Sequence, residues 1–316
     1  VTELAALTLA VVAVACGGGG PTGDASATTT AAPTTTAPIP PTPATAPGGA
    51  DPCAALEGPI ATGRLDDPEL DEVSGAAVAT SDPRLVWLLE DSGNPPVLTA
   101  VSARGRTVTT VTLPVEATDW EDLAAGPGPD GRPHLFVADI GDNAAARDVV
   151  TVLRLPEPDA ADPVAPAVER LQLRVTGGPA DAEALLVDPE RGDLVVVTKD
   201  PAGRARVRVA AGAATGPAGP VDLVDAGVLE LGLLEAVLAG DASADAGIIA
   251  VRTPLSLRVW SWPPGTPLVD ALVEGTPCEA PSVTDPFGEA LAVAPDGALV
   301  LTGEGAGATL WRVAAG

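Results

Sequence analysis

Two phrases decide the fold of this chain: AEALLVDPERGDLVVVT (Ala182–Thr198) and GEALAVAPDGALVLTG (Gly288–Gly303). Each runs through an acid, a small residue, an apolar stretch, a tight turn and a second apolar stretch. Short apolar stretches on either side of a Pro/Asp/Gly turn form a β-hairpin. The return of the same hairpin phrase late in the chain points to a repeat. Working outward, Gly75–Ala79, Leu85–Leu89, Val97–Val101 and Val108–Leu113 read as four strands with turn residues in each gap. A second group opens at DWEDLAAG (Asp119–Gly126) and continues through HLFVAD, VVTVLRL and ERLQLRV. The third opens at the Ala182 phrase and adds RARVRV and VDLVDAG; the fourth holds GIIAVRT, SLRVWSW and PLVDALV. The fifth opens at the Gly288 phrase and closes with ATLWRV.

No convincing amphipathic helix interrupts these groups, so the class is all-β. Four-strand groups that repeat every roughly 40 to 60 residues are the signature of propeller blades. The fifth group is one strand short, and GPIATGRL (Gly58–Leu65) is the candidate to complete it. The expectation is a five-bladed β-propeller. A six-bladed one is the alternative, its extra blade lying within Asp200–Leu234, and a β-sandwich fits the repeated openings less well.

The rest of the chain reads as an address and a tether. Residues 1–16 are expected to be a lipoprotein signal peptide. LAALTLAVVAVAC runs apolar from Leu4 to Cys16, is too short to span a bilayer, and has small residues before the cysteine. It resembles the bacterial lipobox, which makes Cys16 the lipidation site, although no Lys or Arg precedes the apolar run. An ordinary cleaved signal peptide is the alternative, and the GGGG that follows favours the anchor. Residues 17–52 are rich in Thr, Pro, Ala and Gly and have almost nothing to bury, which makes them a disordered stalk. Residues 53–316 are the propeller domain. The protein is expected on the extracytoplasmic face of a bacterial membrane, touching it only through lipid. There Cys53 and Cys278 are expected to form a disulfide.

Composition narrows the partners. A net charge of −26 argues against nucleic acid and against an anionic membrane surface. Aromatics make up only 2%, little for stacking on carbohydrate, and the one histidine, His134, weakens any His-based triad or zinc site. A monomer with an unidentified small-molecule or protein ligand is expected.

In a propeller the innermost strands line a central channel, and their openings converge. Here those openings carry Ser74, Glu121, Glu183 and Glu289. Glutamates on one axis repel until a cation joins them, and oxygen donors without a Cys/His cluster favour Ca²⁺ first and Mg²⁺ second. This pattern resembles the five-bladed calcium-dependent apyrases (calcium-activated nucleotidases), whose blade openings read Ser, Glu, Glu, Ser, Glu around an axial Ca²⁺. Ser74, Glu121, Glu183 and Glu289 match the first, second, third and fifth openings. The fourth departs: Ala239 stands at the ligand position, with Asp241 and Ser243 close by. The openings resemble still more closely bacterial propeller proteins of unassigned function that carry DWED…GDIGDN…EAL phrases. Trp260 and Trp262 alternate, so they share a strand face and are expected to pack between blades.

A second ring of polar residues follows the second strands: Asp91, Asp139, Asp142, Asn143, Lys199, Arg252 and Glu304. In the apyrase resemblance Asp91 or Asp139 would orient a water, while Lys199 and Arg252 would steady phosphates. Asp142, Asn143 and Glu304 would complete the ligand pocket. Neither a P-loop nor a G-x-S-x-G elbow is present. The preferred reading is a surface lipoprotein propeller with an axial calcium, acting as a binding or scaffold module. The alternative is an extracellular calcium-dependent hydrolase of phosphate esters or nucleotides, and a lactone- or ester-cleaving metal propeller is a third option.

Overall fold

The computed structural model describes residues 51–161, 167–283, 285 and 288–316. The expected signal peptide with Cys16, and the stalk as far as residue 50, lie outside the described residues.

The described chain is built of β-meanders taken in order. Strand β1 (Ile60–Arg64) is set apart. Then come β2 (Val73–Val78), β3 (Leu85–Glu90), β4 (Val97–Ser102) and β5 (Thr107–Thr112), which pair as one antiparallel sheet. The second meander is β6 (Trp120–Pro127), β7 (Pro133–Asp139), β8 (Val149–Pro156) and β9 (Glu169–Val175). The third is β10 (Ala182–Asp188), β11 (Asp193–Thr198), β12 (Arg204–Ala210) and β13 (Val221–Glu230). The fourth is β14 (Ala239–Ser243), β15 (Ile248–Arg252), β16 (Leu257–Ser261) and β17 (Cys278–Ala280). The last holds β18 (Ala290–Val293), β19 (Leu299–Thr302) and β20 (Thr309–Val313), and β1 completes it by pairing antiparallel with β20, Ile60 against Arg312. The sheet order β1-β20-β19-β18 therefore joins the start of the domain to its end. The disulfide Cys53–Cys278 reinforces this closure, linking residues 225 apart in sequence at a Cα–Cα distance of 6.0 Å.

Strands β2, β6, β10, β14 and β18 are neighbours in that order, and β18 returns to β2, so the inner strands close a ring. Successive residues of a strand point to opposite faces, and both faces here are apolar. In β10, Leu185 and Val187 join a core with Phe136 and Leu173 of the second meander, while Ala184 and Leu186 join one with Ile249 and Val251 of the fourth. Each adjoining pair of meanders buries one such cluster, the last between β18–β20 and β2–β4. Trp260 and Trp262 lie together in the cluster between the third and fourth meanders, and Trp87 and Trp120 in the one between the first and second. The architecture is all-β and propeller-like.

Three details depart from or sharpen the sequence expectation. PLVDALV, read as a strand, forms helix α1 (Leu268–Glu274). Its apolar residues Leu268, Ala271 and Leu272 fall at helical spacing on one buried face, and Asp188 Oδ2 accepts the Leu268 N–H at 3.0 Å. The outer strand of that meander is Cys278–Ala280 instead. The long Asp200–Leu234 segment supplies β12 and β13 of the third meander. Strand β13 also pairs in parallel with β9 over Val221–Leu223, which fuses two meanders into one eight-stranded sheet and covers both edges.

Candidate metal centre

The openings of the inner strands are irregular in a way that aims side chains. Register shifts fall between Val73 and Gly75, between Trp120 and Asp122, and between Ala182 and Ala184. The residue left over at each bulge is Ser74, Glu121 or Glu183, freed from the ladder and re-aimed. Strand β14 keeps a regular register from Ala239 paired with Arg252 onward. The fourth meander thus lacks both the bulge and the acid. Asp241 lies farther down β14, where its carboxylate accepts the N–H groups of Ala242 and Val293 at 2.8 and 2.7 Å.

Glu121 is the hub. Its carboxylate belongs to two groups whose ligand oxygens all lie within 4.8 Å of one another: Asp91, Asp119 and Glu121, and Glu121, Asp181 and Glu183. The residue is buried, and the Ser74 hydroxyl donates to its main-chain carbonyl. Burial first, then the neighbouring Glu183, Asp91 and Asp119 charges, hold the Glu121 carboxyl far above the usual carboxylate range. Burial raises Glu183 too, and Lys199 partly offsets this with a hydrogen bond from Nζ to Glu183 Oε1 at 2.7 Å. Burial pulls the Lys199 ammonium down, but Glu183 outweighs it and the net shift is upward. Asp119 is raised by burial, with Asp91 and Asp181 adding to the effect.

Glu289 faces the same space but belongs to neither group of three. Burial, then Glu304 and Glu183, push its carboxyl up to about 7. Glu304 lies half-buried behind it, lining a cavity of about 300 Å³ that also includes Arg64 and Asp285.

The remaining polar residues hold the mouth in shape. Asp139 accepts the Thr118 N–H at 3.1 Å, the Asp119 N–H at 3.4 Å and Arg147 Nη2 at 2.8 Å, which fixes the loop that presents Asp119. Asp142 accepts the Ala146 and Arg147 N–H groups, and its own N–H donates to Asp181 Oδ1 at 2.8 Å, leaving Asn143 exposed on the same turn. Arg252 is buried, and Nη1 donates to the carbonyls of Ala290 and Thr302 at 2.9 and 2.5 Å. Its guanidinium, lowered to about 10 by burial, braces the entry of β18 from beneath. His134, the second residue of β7, pairs with Gly126, at the far end of β6 from Glu121.

Reasoning from sequence missed Asp119, Asp181 and Gly141. A signal for the first two was present: Asp119-Trp120-Glu121 and Asp181-Ala182-Glu183 share the spacing D-x-E. Gly141 donates its N–H to the Asp119 carbonyl at 3.2 Å and roofs the cluster. A Cβ there would collide with Glu121 Oε1 and Asp119 Oδ2.

The donors are all hard oxygens, crowded and short of cations, with Glu121 and Glu183 buried and Asp91, Asp119 and Asp181 partly so. A divalent ion that prefers oxygen fits that set, and a thiolate or imidazole metal does not. The group Asp51, Cys53 and Cys278 is no rival, because its sulfurs form the disulfide.

Fold and site define a propeller-like all-β protein with an acidic channel mouth. No family model and no curated protein matches the chain. Among solved structures it is similar to the soluble aldose sugar dehydrogenase of Escherichia coli, at 11% identity and a TM-score of 0.49, covering 82% of this chain and 99% of that one. A glucose dehydrogenase structure gives 11%, 0.48, 82% and 100%. A mitotic checkpoint complex chain gives 16% and 0.37 over 76% of this chain, which spans 61% of that chain's length. Likeness at this level carries no activity across.

Proposed function

We propose that the chain is a five-bladed propeller lipoprotein that holds a calcium ion at the mouth of its channel and serves as a binding or scaffold module outside the cell. The observation that carries this reading is the pair of carboxylate triads sharing Glu121. Carboxylates so close together, two of them buried, are costly unless a proton or a cation lies between them. Glu121, Glu183, Asp181, Asp119 and Asp91 would be the ligands, with Ser74 at the same level of the channel. Mg²⁺ is the second choice because it demands tighter octahedral geometry than a loose ring of carboxylates offers. The ion's role in this reading is to lock adjoining blades together and present a charged platform to a small-molecule or protein ligand. The lipid at Cys16 and the stalk would hold a monomeric domain off the membrane.

The runner-up is a calcium-dependent hydrolase of phosphate esters or nucleotides. The half-buried Lys199 beside Glu183 is the observation in its favour. Against it, Lys199 is already paired with Glu183, and Arg252 is buried with Nη1 held by the carbonyls of Ala290 and Thr302, although its Nη2 has no partner among the described residues. Calorimetric titration with Ca²⁺ and Mg²⁺, together with melting in Ca²⁺ and in chelator, tests the preferred reading. A rise in melting temperature with Ca²⁺, lost in Glu121→Gln, supports it; identical melting curves reject it. Turnover of a nucleotide or phosphate ester that disappears with Glu183→Gln would favour the hydrolase.

A further inference from the structure

The other end of the channel holds a second cavity, of about 580 Å³, where the inner strands run out. It is far along the strands from the carboxylate cluster: Glu121 opens β6, whereas Gly126 and Pro127, which line this cavity, close it. The rim loops contribute Pro83, Pro189 and Pro295 as well, so the mouth is stiff and largely apolar.

One charged group is built into the wall. Asp241 lines the cavity and is only 8% exposed. Two backbone N–H groups, one on each side-chain oxygen, hold its carboxylate in place. Each carboxylate oxygen can accept a further hydrogen bond, so this anchoring does not exhaust it. Asp245 adds a second acid at the exposed rim, and no Lys, Arg or His lies among the described residues lining the cavity.

We propose that this cavity binds a small organic cation, an amine with an apolar body, with the ammonium on Asp241 and the body against the proline-rich wall. The charge of the lining excludes an anion, and a buried carboxylate rewards a donor that is itself charged more than a neutral hydroxyl. Burial supports the assignment, since it raises the Asp241 carboxyl to about 7 and an ammonium partner would relieve that cost.

The test is calorimetric titration of the intact chain with cyclohexylamine, cyclohexanol and cyclohexanecarboxylate at neutral pH, in Ca²⁺ and again in chelator. The amine is expected to bind at least about tenfold more tightly than the alcohol, with no binding of the carboxylate, under both conditions. Ala244→Trp, on the exposed turn beside the cavity, should weaken the amine at least about tenfold while leaving the melting temperature unchanged. Asp241→Asn should remove the preference for amine over alcohol. Equal affinities for amine and alcohol, or amine binding that survives Ala244→Trp, would overturn the proposal. The tryptophan variant decides the matter even if Asp241→Asn does not fold.

Discussion

Lys199 Nζ donates to Glu183 Oε1 at 2.7 Å, while the carboxylate of Glu121 approaches Glu183 from the neighbouring inner strand. One lysine therefore faces two buried acids, with Asp91, Asp119 and Asp181 around them. Without a metal, the pair keeps a proton at neutral pH, because burial and then Glu183 push the Glu121 carboxyl up to about 11. A divalent ion must displace that proton to reach the oxygens. Ca²⁺ binding at pH 7 is thus expected to release about one proton, and affinity should climb as pH rises. Titration calorimetry in buffers of different ionisation enthalpy reads this directly. An observed heat that does not depend on the buffer would sink the idea of a shared proton.

Two other raised carboxyls add to the pH dependence of stability in chelator. Asp241 goes from 3.8 to about 7 and Glu289 from 4.5 to about 7, each with burial as the first cause. The folded state therefore holds these protons when the unfolded chain has already lost them. The stability these two groups contribute is fully present below about pH 4, falls as pH rises, and is lost as pH passes through about 7. For Asp241, only 8% exposed, the slope is at most about 1.4 kcal/mol per pH unit. Exposed Asp66, Asp82 and Asp130 have lowered values and act in the opposite sense, weakly because water screens them. Urea unfolding in chelator from pH 4.5 to 7.5 should show the decline, and saturating Ca²⁺ should leave the share that comes from Asp241, which lies at the other end of the inner strands from the carboxylate cluster. A chelated protein whose stability rises over that range would contradict the assignment.

Gly141 offers the cleanest separation of metal affinity from folding. It lies beside the Asp119–Glu121 cluster, its backbone N–H already tied to the Asp119 carbonyl. The methyl of Gly141→Ala would enter the space of Glu121 Oε1 and Asp119 Oδ2 and push both out of position. The expected result is at least about a tenfold loss of Ca²⁺ affinity, equivalent to about 1.4 kcal/mol. Stability in chelator should change by less than about 1 kcal/mol. Unchanged Ca²⁺ affinity in this variant would remove Asp119 and Glu121 from the ligand set.

The repeat was legible because strand alternation and turn residues are local signals. The openings at Glu121, Glu183 and Glu289 repeat a phrase, and the pairing of β1 with β20 followed from one group being a strand short. Two kinds of feature were not legible. Helix α1 was hidden because seven residues with apolar spacing of three and four also read as a short strand, and only the contact with Asp188 from another meander settles it. Residue roles inside the site were hidden because they depend on bulges. One unpaired residue turns Glu121 toward the other carboxylates and the next, Asp122, into the inter-strand ladder. Arg252 illustrates the same limit: its place at a strand end gave no sign that its Nη1 donates to the Ala290 and Thr302 carbonyls under β18.

Asp122, unassigned by its local sequence, is the residue that ties the inner strands together. It is fully buried, and its carboxyl accepts the N–H groups of Leu123 at 2.8 Å, Leu185 at 2.9 Å and Gly240 at 3.4 Å. Those donors come from β6, β10 and β14, so a single side chain joins three inner strands where they run together. Burial holds its carboxyl well above the usual range despite these donors. The close approach extends to β2, where Gly75 leaves no room for a Cβ against the backbone of Asp122 and Leu123. Asp122→Ala would strand buried N–H groups at roughly 1–3 kcal/mol each, so a total loss of about 3 kcal/mol or more is expected. Asp122→Asn should lose less, since its carbonyl can still accept while its amide opposes one of the donors. Urea unfolding of both variants in chelator provides the measurement. If Asp122→Ala costs under about 0.5 kcal/mol, the inner strands are held by their apolar faces alone and the buried carboxyl is not a structural tie.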